Sequence, residues 1–193
     1  MDKAQLRRTL LNRLHAMPSE QRSERSRKAC RNLVSIEPFQ NASTVMMFVS
    51  LPHEVDTSEA ILHAWQLGKV VAVPKISWEQ RHMIPVKIHS LETGFSTGAS
   101  GLRNPIAGVP VPFEEIDLVV TPALGLDTKG NRLGRGGSYY DRFFANGELK
   151  ALKCGFVFAE QLMDSIPVTE HDKPVDMVVT DEGITHFDKV KGE

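Results

Sequence analysis

Cysteine is nearly missing from this chain of 193 residues: Cys30 and Cys154 are the only two, far apart and without metal-ligand spacing. That argues against a disulfide framework and against a thiolate metal site, and a reducing cytoplasm is the expected compartment. Long apolar runs are also lacking, since the densest fall far short of the ~20 residues that span a bilayer. The opening Met-Asp-Lys-Ala-Gln-Leu-Arg-Arg8 puts charges where a secretory signal needs an apolar segment, so a soluble protein with no membrane partner is expected. Neither sign of charge is in excess: 23 basic residues against 24 acidic ones leave a net charge of -1. No global attraction to nucleic acid follows, and any basic character must be local. The 7 histidines are scattered, none pairs with another at metal spacing, and surface or structural roles are expected for them rather than zinc.

What the chain does have is apolar content of 41%, enough to bury one substantial core, and the length favours a single domain over residues 1–193. Leu6, Leu10, Leu11 and Leu14 make a one-sided stripe that predicts an amphipathic helix from Lys3 to Ala16, ended by Pro18. A second helix is expected from Ser19 to about Ser35. The period then changes: Thr44 to Val49 reads as a buried strand, Thr57 to Leu67 as a helix closed by Gly68, and Lys69 to Val73 as the next strand. Strand, helix, strand predicts a crossover in a parallel sheet. Ile76 to Pro112, with scattered Gly and Pro, is expected to form short strands and loops over one edge. Ile116 to Thr121 and Leu152 to Phe158 read as strands, a helix is expected from about Gly137 to Ala145, and Met177–Thr180 with Gly183–Phe187 reads as a strand and its turn-linked continuation. The sum is a three-layer α/β/α sandwich on a mostly parallel, Rossmann-like open sheet.

The densest chemistry lies in Gly130-Asn-Arg-Leu-Gly-Arg-Gly-Gly-Ser-Tyr-Tyr-Asp-Arg142, which packs four glycines, three arginines, two tyrosines and an aspartate into thirteen residues. Glycine lets backbone N–H groups converge and a ligand come close, while arginine offers planar donors that match phosphate oxygens. A Walker A loop would need lysine after Gly130, where Asn131 stands. A dinucleotide fingerprint starting at Gly134 would need a third glycine where Tyr139 stands. What remains is a strand, loop and helix whose N-terminus faces an anion, with Arg132 and Arg135 reaching phosphate oxygens. Asp141, in the first turns of that helix, is either a plain dipole partner or a magnesium ligand, and Asp172 or Asp176 is a candidate second carboxylate at the sheet edge where ligands usually sit.

With that loop, several segments in order resemble the 5-formyltetrahydrofolate cyclo-ligase family over nearly the whole chain. They are Lys3-Ala-Gln-Leu-Arg7, Phe48-Val-Ser-Leu-Pro-His-Glu54-Val-Asp-Thr57, Pro74-Lys75, Pro122-Ala-Leu-Gly-Leu-Asp127, the loop through Tyr-Tyr-Asp-Arg142, and Ile166-Pro-Val-Thr-Glu-His-Asp172. The resemblance implies ATP-dependent closure of 5-formyltetrahydrofolate to 5,10-methenyltetrahydrofolate, with ATP as co-substrate, Mg2+ as cofactor, small-molecule substrates and a monomeric cytoplasmic enzyme. It implies ATP binding by Lys3, Arg7, Arg132, Leu133, Gly134, Arg135, Gly136, Gly137, Ser138, Tyr139 and Tyr140, and substrate binding by Val49, Glu54 and the stretch from Arg135 to Tyr139. Arg135 and Tyr139 are the implied catalytic residues. Asp141 and Asp172 match the magnesium carboxylates, which favours Asp172 over Asp176. Ser138 stands where the family often has glycine, which predicts tuned affinity, and Gly137 stands where some relatives carry lysine, which leaves the positive charge to Arg132 and Arg135. Two other classes are weighed beside this one. A non-catalytic folate or nucleotide binder fits poorly with the complete set Arg135, Asp141 and Asp172, and a sugar-phosphate isomerase would explain an anion loop but not the Tyr-Tyr-Asp-Arg segment or Glu54.

Overall fold

The computed structural model describes residues 2–99 and 101–187. Helix α1 (Lys3–Ala16) starts where the Asp2 carboxylate accepts from Gln5 N at 2.8 Å and the Gln5 side chain returns a bond to Asp2 N, a reciprocal cap for two otherwise orphaned donors. Its Leu6, Leu10 and Leu14 are buried, as their spacing requires. Helix α2 (Ser19–Ser35) follows Pro18, a short α3 (Glu37–Asn41) turns the chain, and β1 (Thr44–Met46), α4 (Ser58–Gln66) and β2 (Val70–Ser77) make the first strand, helix, strand unit. Then come β3 (His82–Lys87), β4 (Phe95–Thr97), β5 (Arg103–Pro105), β6 (Leu118–Thr121), β7 (Gly125–Asp127), β8 (Arg132–Leu133), α5 (Tyr139–Phe144), β9 (Leu152–Phe156), β10 (Leu162–Met163), β11 (Met177–Val179) and β12 (Ile184–His186).

Seven strands form the central sheet in the order β12-β11-β9-β6-β1-β2-β3. The inner pairs β11/β9, β9/β6, β6/β1 and β1/β2 are parallel, and both edge strands run antiparallel. Alternation along each strand divides the interior in two. Val45, Val71, Val120, Phe156 and Val179 face α1 to α4, while Met46, Ala72, Val119 and Val178 share the other layer with Phe143 and Phe144 of α5. The arrangement is the expected layered α/β fold with a mostly parallel sheet. The chain runs from β1 to β2, then crosses to the far side of β1 for β6, so the strand order reverses between β1 and β6. At such a point the loops leaving the carboxyl ends diverge and open a crevice.

Several element ends differ from the sequence expectation. Strand β1 stops at Met46, although Met47 N still bonds Ala72 O at 2.9 Å, so the remaining residues to Val49 are freed to line the crevice. Strand β2 runs on to Ser77 because its far half pairs with β3 as a hairpin, in a stretch expected to hold only short pieces. Strand β9 ends at Phe156, two residues before the Phe158 of the expectation. Helix α5 begins at Tyr139 rather than Gly137, since Ser138 adopts φ +51°, a left-handed conformation that interrupts helical dihedrals.

Before the glycine loop, β7 and β8 form a hairpin that sequence periodicity did not reveal. Its turn is held by the buried Asp127 carboxylate, which accepts from Lys129 N and Asn131 N at 2.9 Å, from the Asn131 side chain at 2.9 Å, and from Ile166 N at 3.1 Å. Gly130 closes the turn at φ +79°, and a Cβ there would lie 2.5 Å from the Val175 carbonyl oxygen. Its glycine identity is therefore a demand of the turn and of close backbone approach, not of a ligand. Gly130→Ala should lower the unfolding free energy by about 2 kcal/mol or more in urea titrations. Gly147→Ala, where a Cβ meets open space, should stay within about 0.5 kcal/mol of the parent protein.

Candidate functional site

The crevice beside β1 and β6 is a cavity of about 430 Å³. Every residue singled out by the resemblance lines it: Lys3 and Arg7 from α1, Val49 and Glu54 from the segment after β1, the loop from Arg132 to Tyr140, and Asp141 with Asp172. Asp176 does not, because its carboxylate accepts from Lys153 N at 2.8 Å on β9.

The four-residue spacing of Lys3 and Arg7 puts both on the helix face that meets the loop. Arg7 Nε donates to Gly134 O at 2.9 Å. Gly136, at φ +107°, lets the chain turn over the Arg7 guanidinium, where a Cβ would stand 3.6 Å from its central carbon. Lys3 is ion-paired with Asp172, whose Oδ2 also accepts from Thr169 N at 2.6 Å. Burial pushes the Asp172 carboxyl up, but the Lys3 ammonium and the Thr169 amide outweigh it and hold the carboxyl below its ordinary value of 3.8.

Arg132 is 7% exposed and lies beneath the loop. Nη2 donates to Asp141 Oδ1 at 3.4 Å, Nη1 donates to Pro122 O at 3.3 Å, and the guanidinium sits 5.2 Å over the Tyr140 ring. Its buried Nε has no hydrogen-bond partner among the described residues. Burial works against the Arg132 charge, and Asp141, Tyr140 and Asp172 oppose that effect. Burial also pushes the Tyr140 phenol well above its usual range, so it stays a neutral hydroxyl. Arg132 thus supplies fixed positive potential under the loop, while Arg135 is the exposed cation. Arg135 reaches Glu54 Oε1 through Nη2 at 3.1 Å and Nε at 3.3 Å, and also contacts His53 Nε2. Glu54 keeps its second oxygen on Leu51 N at 2.9 Å.

Asp141 is more than a partner for the helix dipole. Its Oδ1 takes both Arg132 and Lys173 N, the latter at 3.2 Å, which ties α5 to the chain after Asp172. The hydrogen bonds to Asp141 from Arg132 and Lys173 N fall on Oδ1, and those to Asp172 from Lys3 and Thr169 N fall on Oδ2. Among the described residues no three His, Cys, Asp or Glu side chains cluster to hold a metal. A cation here would need oxygens from a ligand as well, the ordinary situation for magnesium on a polyphosphate.

The sequence reading did not find the apolar side of the cavity. Ile76, Trp78, Met83 and Leu102, with Arg103 beside them, come from the stretch expected to hold short strands and loops. Trp78 is 60% exposed, with its ring edge-on to Tyr139 at 5.8 Å. A lone tryptophan in the polar turn Ser77-Trp-Glu-Gln-Arg81 was the available signal.

The chain is also similar along its length to known proteins. The family model described as "5-formyltetrahydrofolate cyclo-ligase family" matches residues 1–181. A mouse (Mus musculus) 5-formyltetrahydrofolate cyclo-ligase is 30% identical over 188 residues, 92% of each chain. The Escherichia coli K12 protein of the same name is 30% identical over 172 residues, 87% of this chain and 94% of that one. The NMR structure of Aquifex aeolicus 5,10-methenyltetrahydrofolate synthetase superposes with a TM-score of 0.84 at 27% identity, covering 100% of this chain and 96% of that one.

Removing one member of a buried pair strands the other, so Asp141→Ala should cost about 3 kcal/mol in a denaturant titration. Lys28→Ala, which breaks the exposed Glu24 pair, should cost under about 0.5 kcal/mol. Since the folded Asp172 carboxyl ionises below its ordinary value, its contribution is present above that value and lost as pH falls through the lower folded one. Asp172→Asn should therefore flatten the acid limb of the stability profile below about pH 4, as thermal melts across pH would show.

Proposed function

The chain belongs to the 5-formyltetrahydrofolate cyclo-ligase family, and from that premise we propose how its cavity performs the ATP-dependent conversion of 5-formyltetrahydrofolate to 5,10-methenyltetrahydrofolate. The observation that carries the reading is the sharing of one cavity by a glycine and arginine loop, two carboxylates and an apolar wall ending in Glu54. Phosphates and a flat, partly apolar heterocycle need those opposite surfaces side by side.

A formamide oxygen is a poor leaving group. Transfer of the γ-phosphoryl to that oxygen makes a C–O–P linkage, breaks the bond to the β-phosphate and releases ADP. The formyl carbon becomes an iminium-like electrophile. N10 of the same molecule attacks it and loses its proton, then the C–O bond breaks and phosphate departs, leaving the C–N bonds of the methenyl bridge. The chain needs no covalent nucleophile for this; it needs position and charge.

Lys3, Arg7 and the amides from Gly134 to Ser138 hold the triphosphate, and Arg132 supplies buried positive potential behind it. Arg135 and Tyr139, at the boundary between loop and apolar wall, meet the transferring group and the formyl end. Glu54 accepts from the amino and ring N–H donors of the pterin, Val49 packs on the ring, and Trp78 adds a further apolar surface. Asp141 and Asp172 are the residues that would hold Mg2+, which when bound neutralises phosphate charge. Both cysteines are free and buried, with thiols pushed up to about 12 by burial, which suits a reducing cytoplasm. In this reading residues 1–193 form a single domain.

Purified protein with MgATP and 5-formyltetrahydrofolate should develop the near-ultraviolet absorbance of the methenyl product; folded protein giving no signal with active folate contradicts the reading. Arg135→Ala should reduce turnover by about a hundredfold or more. Asp141→Asn should raise the magnesium concentration needed for half-maximal rate, and wild-type behaviour of both variants would mean the site is misplaced.

A further inference from the structure

His53 stands outside the cavity lining and outside every role assigned above, yet it touches the most exposed cation of the site. It is half-buried in the turn after β1, with the His15 ring edge-on at 4.6 Å. Burial, then the charges of Arg135, His15 and Arg22, push its imidazole down to about 4, so the ring is neutral and can accept a hydrogen bond. Its Nε2 meets Arg135 Nη2, and that guanidinium nitrogen donates to Glu54 Oε1 at 3.1 Å. The guanidinium that faces the phosphates in the proposed reaction is thus held by the carboxylate that reads the pterin and by an adjacent neutral imidazole.

We propose that His53 is a positioning residue which, with Glu54, parks Arg135 away from the nucleotide until the folate takes Glu54, so that the two substrates bind with positive coupling. This rests on the functional reading above. The argument is one of shared cost. Either substrate arriving alone must break the Arg135 contacts with Glu54 and His53, whereas the second finds them already broken and binds more tightly. The pair is partly solvent-exposed, which limits the coupling to about threefold to fivefold. A purely structural His53 would give no such coupling, and a Glu54 that only reads the pterin would leave nucleotide affinity untouched.

The test is calorimetric binding of a non-hydrolysable ATP analogue with Mg2+, with and without 5-formyltetrahydrofolate. In the wild-type protein, folate should tighten the analogue by about threefold to fivefold. His53→Ala and Glu54→Gln should each tighten it by about threefold in the absence of folate and shrink the benefit of adding folate. His53→Gln, whose side-chain carbonyl can still accept from Arg135, should stay close to wild type. Unaltered or weaker analogue binding in His53→Ala protein with a wild-type melting profile, or two substrates that bind independently, overturns the proposal while leaving the functional reading in place. A wild-type chain that binds neither substrate overturns both.

Discussion

The burial of one guanidinium organises this site. Arg132 sits in an environment where an uncompensated charge would cost several kcal/mol, so its partners cannot be incidental. Asp141 must be near it, which brings α5 against β8, and the same carboxylate oxygen takes Lys173 N, which ties down the chain before β11. Tyr140, itself half-buried, covers the guanidinium face, and desolvation keeps its phenol protonated. A loop anchored in this way can leave Gly134 to Ser138 at the cavity surface with only modest ordering left for a ligand to impose.

The remaining charges are distributed as pairs that join separate elements. Lys3 with Asp172 connects the first helix to the last long loop, and Arg135 with Glu54 connects the glycine loop to the turn after β1. The cavity is therefore complete only when α1 has docked, and docking is driven by Leu6, Leu10 and Leu14 rather than by the ion pair. Apolar burial assembles the site, and the charges set its potential and selectivity. Such a division fits a reaction in which phosphate charge must be neutralised beside an apolar ring.

Much of this was legible in the residues alone. The leucine stripe of α1, the strand, helix, strand unit after Thr44 and the parallel strands near Leu118 and Leu152 follow from periodicity, because each buries one or both faces against neighbours close in pattern. The basic, loop and carboxylate positions of the cavity were implied by matched segments, and the structure brings those together. Less legible was whatever depends on contacts distant in sequence. The β7 and β8 hairpin is too short for an alternating pattern and exists because Asp127 collects donors from its own turn and from Ile166. The late start of α5 depends on the left-handed Ser138, and the apolar wall joins Ile76 and Met83 of the β2 and β3 hairpin to Trp78 and Leu102 outside the strands, a juxtaposition no local pattern encodes. The choice of Asp172 over Asp176 became geometrical only once Asp176 was found turned toward Lys153.

At the centre is the claim that one crevice at the carboxyl ends of β1 and β6 holds a nucleotide's phosphates and a reduced pterin in contact. A crystal structure of the protein soaked with ADP, Mg2+ and 5-formyltetrahydrofolate tests it most directly. The account predicts phosphate oxygens on the amides between Gly134 and Ser138, with the pterin edge on Glu54 in the same cavity. Density for either ligand at another face of the sheet, with this crevice filled only by solvent, would contradict it.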